Sequence, residues 1–187
     1  MVFLPFMGAV IATKEQPRDA WQDAMIAFGG PAMGTAGAMA VAAGAQVTDS
    51  QLLYALADFG YMINLFNMMP IGSMDGGRIA GALSPWFGVA GLAGGAGLIS
   101  TGAVQNPLFY LIMLAGGFHT FQQFYDPATH RPPNYYRITP AQRVMIGASY
   151  FGLCGTLIAA MAANQVNKKS PEEVQRYREL HFDEREF

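Results

Sequence analysis

Long apolar runs, separated by short polar or proline-containing segments, make up most of this chain. Five of the runs are uncharged or nearly uncharged, at 24–46, 51–70, 86–104, 107–124 and 144–163. A helix needs about 20 residues to cross the hydrocarbon core of a bilayer, and each run is close to that length. The pattern therefore predicts an all-α membrane protein with about five transmembrane or re-entrant helices.

The third and fourth runs carry weaker helix signals than the others. Four glycines between residues 91 and 97 lower the helix propensity of the third run. The Asn106-Pro107 pair between the two runs permits a very tight turn. We expect the two runs to form a helical hairpin or a partly re-entrant pair.

A stripe of small residues marks one face of the first run. Gly30, Gly34 and Ala38 recur every fourth residue, so a helix places them on one side, where its backbone can approach a neighbour closely. Ordinary helix packing explains such a stripe, and a direct role in substrate contact is the alternative. Pro31 lies in the same run and is expected either to kink the helix or to mark its start.

The composition supports a membrane protein, gives no argument for nucleic-acid binding and excludes an internal disulfide. Hydrophobic residues make up 52% of the 187 residues and charged residues only 13%, where about 25% is usual in a soluble domain. The net charge of −2 gives no argument for nucleic-acid binding. Cys154 is the single cysteine, so no disulfide can form within the chain.

The two ends of the chain differ from its apolar middle. By composition, the chain divides into an N-terminal apolar or interfacial segment, a membrane domain and a soluble charged tail, at 1–23, 24–163 and 164–187. The first residues lack the basic leading region of a cleavable signal peptide. In the tail, Ser170, Pro171 and Glu173 are typical of a helix start, which predicts a short soluble helix over 171–180.

Most basic residues of the membrane domain and its flanks are predicted to lie on one side of the bilayer. With five spans, that side carries Lys14, Arg18, Arg78, Arg131, Arg137 and Arg143. Loops rich in Lys and Arg stay on the cytoplasmic side, or on the matrix or stromal side in an organelle. We therefore expect this side to be the inner one.

Asp75 is the polar residue that most needs an explanation. It follows the apolar second run directly, and an ionisable side chain at membrane depth costs about 2.5–3.5 kcal/mol. Residue chemistry leaves two interpretations open. Asp75 is either the N-cap of a helix that opens at Gly77 or Arg78, or a ligand for a metal ion. Asn64 and Asn67, in the run before it, either hydrogen-bond to a neighbouring helix or help to form a cleft.

A longer pattern surrounds Asp75. Asn67, Pro70, Asp75 and Gly76 have the spacing N-x-x-P-x-x-x-x-D-G, which resembles the signature of the site-2 protease family. These are membrane-embedded zinc metalloproteases that cut substrates within or beside the bilayer. Further segments resemble landmarks of bacterial-type members in the same order, at 3–8, 29–31, 106–108 and 136–143. The resemblance covers the chain from its first residues to about residue 163.

The resemblance implies roles for three residues. Asp75 maps onto a zinc ligand of the family, and Asn67 and Pro70 map onto residues that shape the site and the substrate cleft. In the family, two further zinc ligands and the catalytic Glu come from a helical H-E-x-x-H motif upstream of the segment that 3–8 resembles. That motif is missing from this sequence, since none of its histidines is followed by Glu. The histidines are His119, His130 and His181.

Zinc is therefore expected only if other ligands are supplied. A catalytic zinc ion takes about four ligands, three of them from protein, and Asp75 is one. His119, near the end of the fourth run, is expected to be interfacial, and His130 is expected to be solvated in a proline-rich loop. The chain on its own is expected to lack a complete metal site.

Three functions remain open on these grounds. The first is a catalytically inactive site-2-protease-like protein that serves as a structural or assembly subunit of a larger membrane complex. The second is a zinc-dependent intramembrane metalloendopeptidase whose H-E-x-x-H helix is missing from this sequence or is supplied by another chain. The third is a small transporter or channel in which Asp75 contacts an ion or a proton. We favour the first, because hydrolysis needs a base and a complete metal site.

The expected surroundings follow from the same interpretation. Membrane lipid is one partner, and protein partners in a membrane complex are expected as well, with the tail from Pro171 to Phe187 as a contact segment. No nucleic acid is expected. The expected location is the bacterial inner membrane or a mitochondrial or chloroplast membrane.

Overall fold

The computed structural model describes residues 2–4, 8–10, 17–72, 74–125 and 134–167. Its elements are β1 (Val2–Leu4), β2 (Gly8–Val10), α1 (Ala20–Thr48), α2 (Gln51–Asn67), α3 (Asp75–Leu83), α4 (Trp86–Ser100), α5 (Pro107–Tyr125) and α6 (Pro140–Asn167). β1 and β2 pair antiparallel, with Phe3 opposite Ala9. From residue 17 onward the described regular structure is helical, which confirms the all-α prediction for that part. Most of residues 1–16 and the predicted tail helix at 171–180 lie outside the described residues.

Five helices coincide with the five predicted apolar runs, and capping residues set their true ends. α1 begins before its predicted run because Asp19 is its N-cap and accepts a backbone hydrogen bond from the first turn. α6 begins early as well, because Thr139 and Gln142 form a reciprocal capping box. α3 has no counterpart among the runs, since it is only nine residues long and contains three glycines.

Within the described residues, two helices, and not the five expected, are long and apolar enough to cross a membrane: α1 and α6. Length and polarity account for the difference among the described helices. α2 has 17 residues and α4 has 15, which at 1.5 Å per residue is shorter than a hydrocarbon core of about 30 Å. α5 has 19 residues, but His119, Gln122 and Gln123 make its last turns polar. The prediction of about five spans is therefore not supported.

α1 forms the centre of the fold through a face built from small residues. It packs against α2, α3 and α6, and α2 also packs against α6. The buried positions of α1 are Ala20, Ala24, Ala27, Pro31, Thr35, Ala38, Ala42 and Ala45. Because these side chains are small, the neighbouring helices can approach the α1 backbone closely. Larger side chains from those neighbours, such as Tyr61, Ile79 and Leu157, complete the core.

Pro31 lies inside α1 and does not mark its start. Its side chain is fully buried, and its missing N–H leaves the carbonyl of Ala27 without the usual intrahelical donor. One turn later, the Thr35 hydroxyl donates to the Pro31 carbonyl at 2.6 Å. The helix nevertheless runs on to Thr48, and we attribute this to the packing of its buried face.

Two of the three stripe residues of α1, Gly34 and Ala38, face α2, as the packing interpretation predicts, whereas Gly30 lies beside Asp75 of α3. A Cβ atom added at Gly34 would lie 2.6 Å from Nδ2 of Asn64, and one added at Gly60 would lie 3.0 Å from the Cβ of Ala38. Asn64 is 9% exposed and donates to the Gly60 carbonyl at 2.8 Å, which is a bond within its own helix. Its amide fills the space that Gly34 leaves open.

Replacing Gly34 by alanine is expected to destabilise the contact between α1 and α2, whereas Gly37→Ala is expected to be harmless. At Gly34 the added methyl group would displace the buried Asn64 amide, at a cost of about 1–3 kcal/mol. At Gly37 nothing lies within 4 Å, and alanine gains up to about 1 kcal/mol of helix propensity. Thermal unfolding in detergent, followed by circular dichroism, measures both changes. Equal melting temperatures for the two variants would contradict this packing.

Candidate functional site

The turn between α2 and α3, of which residues 68–72 and 74 are described, connects the residues that the resemblance singles out. Asn67 is the last residue of α2, Pro70 lies inside the turn, and Asp75 is the first residue of α3. Gly72 has a φ of +56°, a conformation that residues with a side chain rarely adopt. The three site residues predicted from the sequence therefore belong to one short stretch of chain.

Two helices close over this turn at the level of its backbone. Tyr150 of α6 donates its hydroxyl hydrogen to the carbonyl of Met68 at 2.6 Å. Gly91 of α4 lies against Pro70, where an added Cβ would stand 2.9 Å from the proline carbonyl carbon. A side chain larger than hydrogen would not fit at that position of α4.

α5 and α3 approach the same turn through glycines as well. A Cβ added at Gly72 would lie 2.7 Å from the Cα of Gly116 in α5. One added at Gly76 would lie 2.6 Å from the Cα of Met68, and Gly77 is similarly close to the turn. The described residues of this turn, 68–72 and 74, which we term the hub turn, thus touch α4, α5 and α6 in addition to the two helices that they connect.

Asp75 is the first residue of α3, so the interpretation of this residue as the helix N-cap is wrong. Met74 takes the cap position and offers no side-chain hydrogen bond. The helix opens earlier than expected because the two glycines after Asp75 fit against the hub turn. The carboxylate is half-buried, and its Oδ2 atom lies 3.2 Å from where a Cβ of Gly30 would stand. Burial raises the pKa of Asp75 above its usual value, and the charge of Arg78 offsets this only in part.

Within the part of the chain that the structure describes, Arg78 forms its ion pair with Asp23 of α1 and not with Asp75. The Nη2 and Nε atoms of Arg78 donate to Oδ1 of Asp23 at 2.5 and 3.1 Å. The hydroxyl of Tyr135 donates to Oδ2 of the same carboxylate at 2.6 Å. Asp23 is 55 residues from Arg78 and 112 from Tyr135, so local sequence pattern gives no signal for this group. We term the three residues the clamp.

The described residues contain no group of three or more His, Cys, Asp or Glu side chains that could hold a metal ion. His119 lies on α5, while His130 and His181 fall outside the described ranges. Asp75 is therefore a single candidate ligand here, and zinc would need about three more donors from elsewhere. The side chains described do not by themselves fit a zinc site.

An apolar cavity of about 270 Å³ lies beside the hub turn. It is found where the end of α2 meets the facing ends of α4 and α5. Its walls are formed by Phe66, Met69, Leu98, Val104, Asn106, Leu108 and Phe109. Asn106 also starts α5, because its side-chain oxygen accepts a hydrogen bond from the Leu108 N–H at 2.9 Å and Pro107 follows as the first helical residue. The stretch 106–108 thus has a structural role as a helix start.

The stretch 136–143 also acts as a structural joint. Arg143 donates from Nη1 to the carbonyl of Leu83, at the end of α3, at 3.0 Å. Its Nη2 donates to the carbonyl of Tyr136 at 2.9 Å. A cation at the carboxyl end of a helix is favourable because it lies near the negative end of the helix dipole. Arg143 therefore fixes the end of α3 to the beginning of α6.

Comparison with protein-family models, curated proteins and solved structures finds no match for this chain. The relationship to the site-2 protease family stays a prediction, carried by the spacing of Asn67, Pro70, Asp75 and Gly76 and by the four shorter segments.

Proposed function

We propose that this chain is an integral membrane protein that acts as a structural or assembly subunit of a larger membrane complex and has no peptidase activity of its own. Its membrane would be the bacterial inner membrane or a mitochondrial or chloroplast membrane. α1 and α6, each long and apolar enough to cross a membrane, would anchor it. The tail from Pro171 to Phe187 is proposed as a contact for protein partners and lies outside the described residues.

The observation that carries this proposal is the packing of the hub turn. Tyr150, Gly91 and Gly116 each contact its backbone or its proline, and Gly76 lets α3 fold back on it. Every feature that makes the sequence resemble a protease signature here, the Pro, the spacing and the Asp-Gly pair, lies in a tightly packed joint between helices. A scaffold needs such a joint whether or not a metal binds nearby.

One observation favours the alternative, a zinc-dependent endopeptidase completed by another segment or chain. The half-buried Asp75 carboxylate makes no hydrogen bond or ion pair with the described residues, although burial without a partner is costly. Gly30 beside it is exposed, so the space next to the carboxylate is open to a second polypeptide. Histidines from that polypeptide would have to supply the remaining ligands.

The amount of bound zinc distinguishes the scaffold subunit from the zinc-dependent endopeptidase. The protein purified from its native membrane is expected to carry no stoichiometric zinc, and Asp75→Asn is expected to melt at the same temperature or a higher one. The amide removes the cost of burying a charge, so no stability is lost. Asp49→Asn is the matched control, because Asp49 is exposed and has a φ of 49°, which Asn tolerates.

Metal analysis and thermal unfolding with and without added zinc measure the outcome. Stoichiometric zinc in the purified complex, lost in Asp75→Asn and kept in Asp49→Asn, would support the endopeptidase and reject the scaffold. A zinc-dependent rise in melting temperature with the same dependence on Asp75 would lead to the same conclusion.

A further inference from the structure

We propose that the N-terminal ends of α1 and α6 form a binding surface for the headgroups of anionic phospholipids, carried by Arg18, Arg137 and Arg143. The inference rests on the insertion of α1 and α6 into a membrane, which is part of the proposed function. It does not depend on whether the chain is a scaffold or an enzyme.

Two hydrogen bonds bring the three arginines together. The Ala20 N–H donates to the carbonyl of Tyr135 at 2.9 Å, which joins the start of α1 to the segment before α6. The next carbonyl along that segment, of Tyr136, accepts from Nη2 of Arg143 at 2.9 Å. Arg18 lies just before Ala20 in the sequence and Arg137 follows Tyr136 directly. All three guanidinium groups therefore extend from positions within a few residues of these bonds.

Among the described residues, the positive charge of these arginines exceeds the negative charge beside them. The ion pair that the structure shows at this end, between Arg78 and Asp23, cancels the charge of a fourth arginine. Arg143 is bound by two neutral carbonyl oxygens, which fix the position of its guanidinium group without cancelling its charge. Asp19, the N-cap of α1, is the remaining described acid beside these residues, and its carboxylate offsets one of the three positive charges.

Aromatic residues at the same end indicate that this part of the protein lies at the level of the lipid headgroups. Trp21 lies in the first turn of α1, and Tyr136 directly precedes Arg137; both are partly exposed. The Tyr136 ring packs edge to face on the buried ring of Tyr135, with the centroids 5.0 Å apart. Trp and Tyr are enriched where a membrane protein meets the headgroup region. Both candidate spanning helices begin here, so the positive ends of their dipoles lie at the same end of the molecule as the arginines.

The chemistry matches a phosphodiester at a membrane surface. Guanidinium groups bind phosphate oxygens through paired hydrogen bonds, and basic clusters beside membrane helices attract anionic lipids. Asp49, between α1 and α2, and Asp58, in the first half of α2, lie toward the opposite end, and no Lys or Arg of the described ranges accompanies them. The described part of the molecule is thus basic at one end and acidic at the other.

The test uses the full chain in nanodiscs that contain phosphatidylcholine and phosphatidylglycerol. After mild extraction, native mass spectrometry measures the ratio of the two lipids that stay bound. Wild type is expected to retain phosphatidylglycerol several-fold above its share of the bilayer, and Arg137→Gln is expected to reduce that enrichment. Gln46→Glu, an exposed position near the other end of α1, changes the net charge by the same amount and should leave the enrichment intact.

Several outcomes would overturn the inference. Wild type that retains the two lipids in their bulk ratio, or equal losses in Arg137→Gln and Gln46→Glu, would show that no local surface selects the headgroup. Displacement of the lipid by millimolar inorganic phosphate would assign the surface to free phosphate. Because Arg143→Gln could also loosen α3, the exposed Arg18→Gln serves as the second variant, and an unchanged ratio in both Arg18→Gln and Arg137→Gln counts against the proposal.

Extraction of native membranes at alkaline pH distinguishes the failure of this inference from that of the proposed function. A chain that stays in the membrane but shows no lipid preference would overturn the lipid surface alone. A chain released from the membrane would overturn both.

Discussion

Gly76→Ala is expected to lower the free energy of unfolding by about 3 kcal/mol or more, because overpacking against backbone cannot be relieved by a side-chain movement. A Cβ at this position would overlap the carbonyl group of Met68 and stand 2.6 Å from its Cα. The Met68 side chain is 2% exposed, and its carbonyl accepts the Tyr150 hydroxyl at 2.6 Å. The hub turn could therefore move away from the new methyl group only by breaking its link to α6.

Gly117→Ala is the matched control for this prediction. Gly117 lies on α5 next to Gly116, which contacts the hub turn, but nothing lies within 4 Å of its own Cβ position. The control is expected to change stability by no more than about 1 kcal/mol, and in the stabilising direction. Melting curves in detergent compare the two variants. Similar curves for Gly76→Ala and Gly117→Ala would show that the start of α3 is not packed on the turn as described.

Local sequence signals account for most of the helices. The apolar runs locate α1, α2, α4, α5 and α6, because each run is long and bounded by polar or proline-containing segments. Capping chemistry sets the ends: Asp19 and the pair Thr139 and Gln142 extend two helices beyond their runs. Capping interactions act over one helical turn, which is why they can be predicted from residues that are close together in the sequence.

The number of membrane spans is harder to derive, because an apolar helix can be buried by protein instead of lipid. α4 is rich in glycine, and its Gly91 and Gly95 are buried against neighbouring parts of the chain. α2 buries Tyr54, Tyr61 and Asn64 on its inner side. Apolar composition alone does not distinguish these helices from lipid-facing ones, and their lengths of 15 and 17 residues become informative only once the ends are known.

At the candidate site too, features set by neighbouring residues can be predicted from the sequence, whereas contacts between helices that are far apart in the sequence cannot. Asn67, Pro70 and Asp75 lie in one short segment because they are neighbours along the chain, so the sequence alone shows that they are close together. It does not reveal that Gly76 and Gly91 are needed for close backbone contacts with that segment, since those contacts depend on where α3 and α4 come to lie. The role of Asp75 as a metal ligand stays a prediction on the same grounds.

Asp23→Ala has the second large expected effect, a loss of about 2–3 kcal/mol in the free energy of unfolding. The change removes the acceptor for both the Arg78 guanidinium and the Tyr135 hydroxyl, and the Tyr135 residue is only 5% exposed. The loss should fall short of the value for a fully buried pair, because the Arg78 side chain is 33% exposed and water can solvate part of its charge. Thermal and denaturant unfolding in detergent measure it.

A double-mutant cycle with Arg78→Met isolates the ion pair from other effects of the substitutions. Removal of either partner alone leaves the other half-buried and unpaired, whereas removal of both leaves only the Tyr135 hydroxyl without its acceptor. The double variant should therefore be more stable than the sum of the two single losses implies, with a coupling energy of about 1 kcal/mol or more. The clamp joins α1, α3 and the segment before α6. If the stability losses of the two single variants simply add in the double variant, Arg78 does not fasten α3 to α1 through Asp23. Packing of α3 on the hub turn would then hold this end of the molecule without the clamp.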